Sequence, residues 1–379
     1  MRLMKMSIKY LCIDDQQDRT LDALLDRLSQ PGIIEFSRQT PIQLEAQLEL
    51  IQRFASENGG GMGLLLDLRL DMEADEAGNR VAYRGPTLAQ ELRTRMAEDG
   101  VRAFPIVLWS VNAKFKKSYA GDESSHDLFD AVFEKESEVA EIPDEVAEKL
   151  KSLAVGYARL HASRSSEEIS GLTGEAIDSP LYVQFLFELR EFIEKSAKHE
   201  VAHFILNELL LKEGLLVGDT MLAARLGVDI ERSTASWESL KRQLENSRYS
   251  GVFCEGWPRW WWFKVEDWWN SLGASRSGIR KLTASQRVQI LNQTFGLELV
   301  AADPILPTYS TKYSTLCSGT RRPLDPLDGL KAAGGGRRPW HDLTYVSAHA
   351  ALERIGRETW RLDPLELERL QRMKSGGAK

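Results

Sequence analysis

The sequence predicts a doubly wound α/β domain built on a parallel five-stranded sheet, followed by a mostly α-helical C-terminal region. Two observations carry that prediction for the first part of the chain. Short aliphatic runs alternate strictly with amphipathic segments, as in parallel strands joined by crossover helices, and the runs end in polar residues instead of fading into loops. A third observation concerns the rest. Beyond residue 180, Leu-, Phe- and Trp-rich stretches at helical spacing replace the strand-like runs.

The first run, residues 8–13, ends in Asp14-Asp15. Residues 18–28 then place Leu21, Leu24, Leu25 and Leu28 on one helical face. Residues 33–36 read as a weak strand and residues 41–55 as a helix, with Leu44, Leu48, Ile51 and Phe54 aligned. The central run, Gly63-Leu64-Leu65-Leu66-Asp67-Leu68-Arg69-Leu70, lies between three glycines and a polar, acidic insertion over 71–84. Its unbroken aliphatic character marks a strand buried on both faces, and Asp67 stands at its carboxyl end. A helix over 86–96 follows, then a strand over 104–109 ending at Ser110, and a fifth strand over 131–133 ending at Glu134-Lys135.

In a parallel sheet all carboxyl ends share one edge, where open α/β sheets place their chemistry. Asp14, Asp15, Asp67, Ser110 and Lys135 therefore converge although they are far apart in sequence. Three carboxylates in one crevice repel each other unless a cation joins them, and a hard divalent ion such as Mg2+ is the expected partner. Asp67 then becomes a nucleophile toward a phosphoryl group, with Lys135 as countercharge and the Ser110 hydroxyl as hydrogen-bond donor.

Leu11-Cys12-Ile13-Asp14-Asp15, Leu64 to Leu70, Pro105-Ile106-Val107-Leu108-Trp109-Ser110 and Phe133-Glu134-Lys135 together give a pattern that resembles the receiver domain of two-component response regulators. The resemblance implies a flavodoxin-like sheet order and Mg2+ bound by Asp14, Asp15 and Asp67. It also implies that Asp67 accepts a phosphoryl group from a histidine kinase or phosphotransfer protein, with Ser110 and Lys135 sensing it. The chain departs from the family pattern at Glu136 and Asp71, where prolines are usual, and at Val132, where an aromatic switch residue is usual; Phe133 carries the aromatic ring one place later.

The totals narrow the classes further. At 379 residues, two or three domains are expected. A net charge of −7 argues against a protein that coats nucleic acid or an anionic membrane. Cys12, Cys254 and Cys317 are too few and too scattered for a disulfide framework, and no stretch reaches 18 uninterrupted apolar residues, so the expected compartment is the cytoplasm.

The expected organisation is a receiver-like domain over 1–142, a connector helix and linker over 143–180, a helical Trp-rich domain over 181–300 and a loop-rich subdomain over 301–379. Residues 181–211 read as one long helix. It contains His199-Glu200-Val201-Ala202-His203, in which two histidines at i and i+4 could ligate Zn2+ with Glu200 as general base, so a metallopeptidase output is one alternative. The more economical reading is a packed interaction helix, because no third ligand stands at a peptidase spacing.

Residues 222–228 and 236–246 have a helix-turn-helix flavour, but acidic residues dilute the basic ones. DNA binding is the second alternative and a pseudo-receiver interaction module the third. Trp257 to Trp269 packs six of the ten tryptophans into one stretch, read as a helix that buries a core or docks a partner or a second copy of the chain. The expected function is a cytoplasmic signalling phosphoacceptor with weak self-dephosphorylation, more than a conventional turnover enzyme, with a helical protein-interaction output.

Overall fold

The computed structural model describes residues 8–16, 19–30, 33–59, 61–74, 78–98, 100–111, 128–163, 169–174, 180–273, 278–334 and 337–376. Most of the linker expected over 163–180 lies outside these residues, as do Asp18 and the last three residues of the tail. Among the described residues no helix is long and apolar enough to cross a membrane.

Five parallel strands form the N-terminal sheet: β1 (Ile8–Ile13), β2 (Ile34–Gln39), β3 (Met62–Asp67), β4 (Ile106–Ser110) and β5 (Ala131–Glu134). Their order is β2-β1-β3-β4-β5, the doubly wound order of the receiver-type fold. The continuous aliphatic run of β3 is explained by its place in the middle of that order. Leu64, Leu65 and Leu66 are all essentially inaccessible, and each such burial stabilises by about 1.5–3 kcal/mol. Leu66 pairs with Ile13 on one side and Leu108 on the other, so the chain direction brings Asp67 level with Trp109 and leaves Ser110 level with Glu134.

Helices α1 (Arg19–Leu28), α2 (Leu44–Asn58), α3 (Gly85–Ala97) and α4 (Pro143–Ala162) cover the sheet. The helix read as a connector, α4, instead packs beside the strands. Val146, Leu150, Leu153, Ala154 and Tyr157 are buried along it, and the Tyr10 hydroxyl of β1 donates to the Leu150 carbonyl at 2.7 Å. Its apolar stripe is too continuous to be left in solvent.

The chain divides into two compact units, which differ from the expected boundaries. The first comprises residues 1–179, 183–208 and 250–257, and the second residues 180–182, 209–249 and 258–379. The long helix expected over 181–211 is broken at Ser196-Ala197 into α6 (Pro180–Lys195) and α7 (Lys198–Ile205), after the short α5 (Ile169–Thr173). The break has a local cause: the Glu200 carboxylate accepts the Ala197 backbone N–H at 2.7 Å and so starts a new helix.

The second unit combines helices with short strands and loops. It contains α8 (Asp219–Leu226), α9 (Ile230–Gln243), α10 (Trp262–Ser271), α11 (Ala284–Phe295), α12 (Ala348–Glu353) and α13 (Pro364–Gly376), with short antiparallel strand pairs between them. Trp260-Trp261 is not helical, as the sequence implied, but pairs as a strand with Leu216-Val217. The helix begins only at Trp262. Trp237, Trp260, Trp262 and Trp269 lie buried in one core with Leu222, Leu240 and Leu291, so this tryptophan-rich segment packs as a hub. Residues 249–253 form no strand, and Phe253 takes a positive φ of 66°.

Candidate functional site

Asp14, Asp15 and Asp67 meet at the carboxyl edge of the sheet. All three are buried, and oxygen atoms from each lie within 4.8 Å of one another. Lys135, just past β5, reaches across to them. Its Nζ donates to Asp14 Oδ2 and to Asp67 Oδ1, both at 2.7 Å, and its ammonium stands 4.8 Å from the centre of the Trp109 ring. Ser110 is buried at the end of β4 on the same edge.

Backbone amides orient the carboxylates. The Arg69 N–H donates to Asp67 Oδ2 at 2.7 Å, and the Gln16 N–H donates to Asp14 Oδ1 at 3.0 Å. Asp15 Oδ2 accepts from both Met72 N–H (2.8 Å) and Glu73 N–H (2.9 Å), so the start of the acidic insertion is tied down onto the site. Asp71 is held beside it by Arg69 at 2.7 Å. Nothing in the residue pattern signals these amide contacts, because they depend on backbone direction and not on residue type. Trp109 was legible only as a strand residue.

The electrostatics follow from burial. Three carboxylates against one ammonium leave a formal charge of −2 (3 × −1, +1) when all are ionised. Burial pushes the Asp67 carboxyl up to about 6, opposed by Lys135 and assisted by Asp14. Burial also raises Asp14, again against the pull of Lys135. Desolvation alone would lower Lys135, but Asp67 and Asp14 outweigh it and hold its ammonium above the usual lysine value. A surplus of two negative charges on hard oxygen donors fits a divalent cation of the Mg2+ kind. Asp14, Asp15 and Asp67 are the residues that would hold it.

Gly85 shapes this edge from the α3 side. A Cβ there would lie 2.3 Å from the Asp67 carbonyl oxygen, while the Gly85 N–H donates to the Leu68 carbonyl at 3.2 Å. Gly85→Ala is expected to push α3 off the strand end, to destabilise the domain by about 1–3 kcal/mol and to weaken Mg2+ binding. A Mg2+ titration followed by tryptophan fluorescence would detect this, and an unchanged titration would show the contact to be unimportant.

The histidine motif has a different setting. His203 Nε2 stands 3.1 Å from Asp130 Oδ1, at ion-pair distance. Asp130 also receives Arg93 Nη2 (2.8 Å), the Tyr157 hydroxyl (2.6 Å) and the Ile106 N–H (2.7 Å), at the amino-terminal edge of the sheet. His199 is buried, and burial with the nearby Arg93 lowers its imidazole to about 3, so it is neutral at physiological pH. Glu200 caps its own helix. Among the described residues the one cluster of three metal-ligating groups is the aspartate set, and the histidines do not belong to it.

The helix-turn-helix segment and Cys317 have ordinary settings. The α8–α9 connection is three residues, Gly227 to Asp229, shorter than the sequence suggested. Two of the three basic residues of α9 are nevertheless paired with carboxylates, Arg232 with Asp229 and Asp303 and Lys241 with Asp219 and Glu238, while Arg242 donates to the Ser239 hydroxyl. Cys317 is buried and accepts hydrogen bonds from the Ser347 N–H and the Thr320 N–H, away from any cluster of metal ligands.

No protein-family model matches the chain, and no curated protein does. Among solved structures, the phosphorylated cyanobacterial phytochrome response regulator RcpA is similar to the N-terminal part. It is 15% identical, with a TM-score of 0.27, over 39% of this chain and 94% of that one.

Proposed function

We propose that the N-terminal unit is a phosphoacceptor receiver, in which Asp67 takes a phosphoryl group from a phosphohistidine on a histidine kinase or phosphotransfer protein. The observation that supports this most is the buried Asp14–Asp15–Asp67 set bridged by Lys135. In the transfer, an Asp67 carboxylate oxygen attacks phosphorus, the P–N bond to the donor imidazole breaks, and an acyl phosphate forms. The imidazole nitrogen leaves with the bonding electron pair and regains a proton. Bound Mg2+ supplies charge neutralisation for the phosphoryl oxygens.

The protein's own side chains do the rest. Lys135 already sits on Asp67 Oδ1 and exchanges that contact for a phosphoryl oxygen, and the Ser110 hydroxyl donates to another. Releasing Asp67 from Lys135 alters the packing of Trp109 under the ammonium. The modified state is then relayed to a protein-interaction output in the C-terminal helical region.

The test is incubation of the full chain with acetyl phosphate in Mg2+ or in EDTA, followed by intact mass and peptide mapping. One Mg2+-dependent label on Asp67 is expected. Absence of labelling by small donors, together with no response to beryllium fluoride, would reduce the domain to an interaction module.

The raised Asp67 value sets a pH dependence. Below about pH 6 the carboxyl is protonated and a poor nucleophile, so labelling should fall roughly tenfold per pH unit. Saturating Mg2+ competes with the proton and moves the midpoint lower. Stability runs the opposite way: between about pH 4 and 6 the folded state binds more protons at Asp67 than the unfolded chain, so this contribution weakens as pH rises through that window. At limiting Mg2+, a labelling rate that is flat from pH 5 to 8 would contradict the nucleophile assignment.

A further inference from the structure

The second unit holds a cavity of about 310 Å³ whose chemistry the receiver reading leaves unused. Four arginines, Arg225, Arg280, Arg287 and Arg337, line it together with Trp262 and Tyr313. Their charges are not equally compensated. Arg225 is paired with Asp342 and stacks 4.6 Å from the Trp262 ring, and Arg280 is paired with Glu266. Among the described residues neither Arg287 nor Arg337 has a carboxylate at ion-pair distance.

Arg287 is the unusual one. It is 1% exposed, at the inner face of α11. Its Nε donates to the Ile279 carbonyl at 3.0 Å, and its Nη1 to the carbonyls of Arg225 (2.7 Å) and Tyr313 (2.8 Å). Its Nη2 is buried and has no acceptor among the described residues. Three neutral carbonyls fix the guanidinium in place without neutralising it, and burial lowers its pKa to about 10, with the charge of Asp325 opposing only part of that shift. A buried cation with an idle donor costs several kcal/mol unless something else satisfies it.

Arg337 is exposed, and among the described residues its fixed partner is the His341 carbonyl at 3.3 Å. The cavity thus offers a rigid inner guanidinium, an adjustable outer one and aromatic walls. Planar guanidinium forks are suited to the oxygens of phosphate esters, and the volume is at the lower end of that of small-molecule pockets.

We infer that this cavity binds a small soluble phosphorylated molecule, its doubly charged oxyanion seated between Arg287 and Arg337. The site is independent of the aspartates that the receiver reading uses, and its ligand need not be a phosphodonor.

Calorimetric titration of the full chain with inorganic pyrophosphate, phosphate and a nucleoside monophosphate tests this, at constant ionic strength in EDTA so that the acidic site takes no part. A saturable heat with one site per chain is expected. Arg337→Glu, on the exposed side, should weaken it at least tenfold with the fold intact, and Arg287→Lys should weaken it further. Asp67→Asn should leave it unchanged. No saturable binding of any of the three anions, or equal binding by Arg337→Glu, would overturn the inference. So would binding only to vesicles carrying a phosphorylated lipid.

Discussion

Asp67→Asn is expected to abolish phosphodonor labelling while the chain stays folded. Asparagine keeps the shape of the side chain and can still accept the Arg69 N–H, but it cannot form the acyl phosphate. The fold survives because Lys135 retains its 2.7 Å contact with Asp14, so no buried ammonium is left without a partner. Removing one of three clustered carboxylates also relieves repulsion that burial intensifies. Mg2+ affinity should fall with the lost ligand, and the loss of stability between pH 4 and 6 should shrink. Intact mass after acetyl phosphate treatment reads the first effect and a chemical denaturation series the others. A label persisting on another residue would move the phosphoacceptor elsewhere.

Arg93→Met should be the most damaging substitution away from the acidic edge. Arg93 and Asp130 are both almost fully buried, and the arginine also donates to the carbonyls of Leu128 (3.0 Å) and Phe104 (3.3 Å). Methionine fills much of the volume but leaves the Asp130 carboxylate with its largest countercharge gone. The expected loss is about 3–5 kcal/mol, since breaking one side of a buried pair strands the other, or a melting shift on the order of 10 °C for a unit of this size. Adding Asp130→Leu should recover part of it. If the single and double variants were equally unstable, the pair would matter only as packing.

The same network sets an acid limit. Burial alone would raise the Asp130 carboxyl, yet Arg93 and His203 outweigh that and hold it well below the usual range. Its folded value lies below its unfolded one, so its contribution is complete above about pH 4 and is lost as pH falls further.

The N-terminal site was legible in the sequence to an unusual depth. Asp67 could be placed because a strand buried on both faces must be continuously aliphatic, and the point where that run stops is the sheet edge. Lys135 could be joined to Asp14 because parallel topology forces every carboxyl end to one side. The boundary of α4 with the presumed connector was not legible, since an amphipathic helix reads the same whether it covers a sheet or links two domains. A two-residue strand such as Trp260-Trp261 has no periodicity to detect.

The histidine motif shows the same division. Its i, i+4 spacing fits a zinc site equally well as a buried helix face, and the approach of Asp130 to His203 is not written in that spacing. Arg287 on α11 reads from its spacing as one more helix residue; its three carbonyl partners come from other segments. What the sequence determined unaided was the alternation of strands and helices, and with it the edge where the aspartates and the lysine gather, because periodic burial is a local property written residue by residue. The tertiary structure alone decided which buried charge meets which, since those pairings depend on distant segments arriving at one place, and nothing in the local pattern encodes where they arrive.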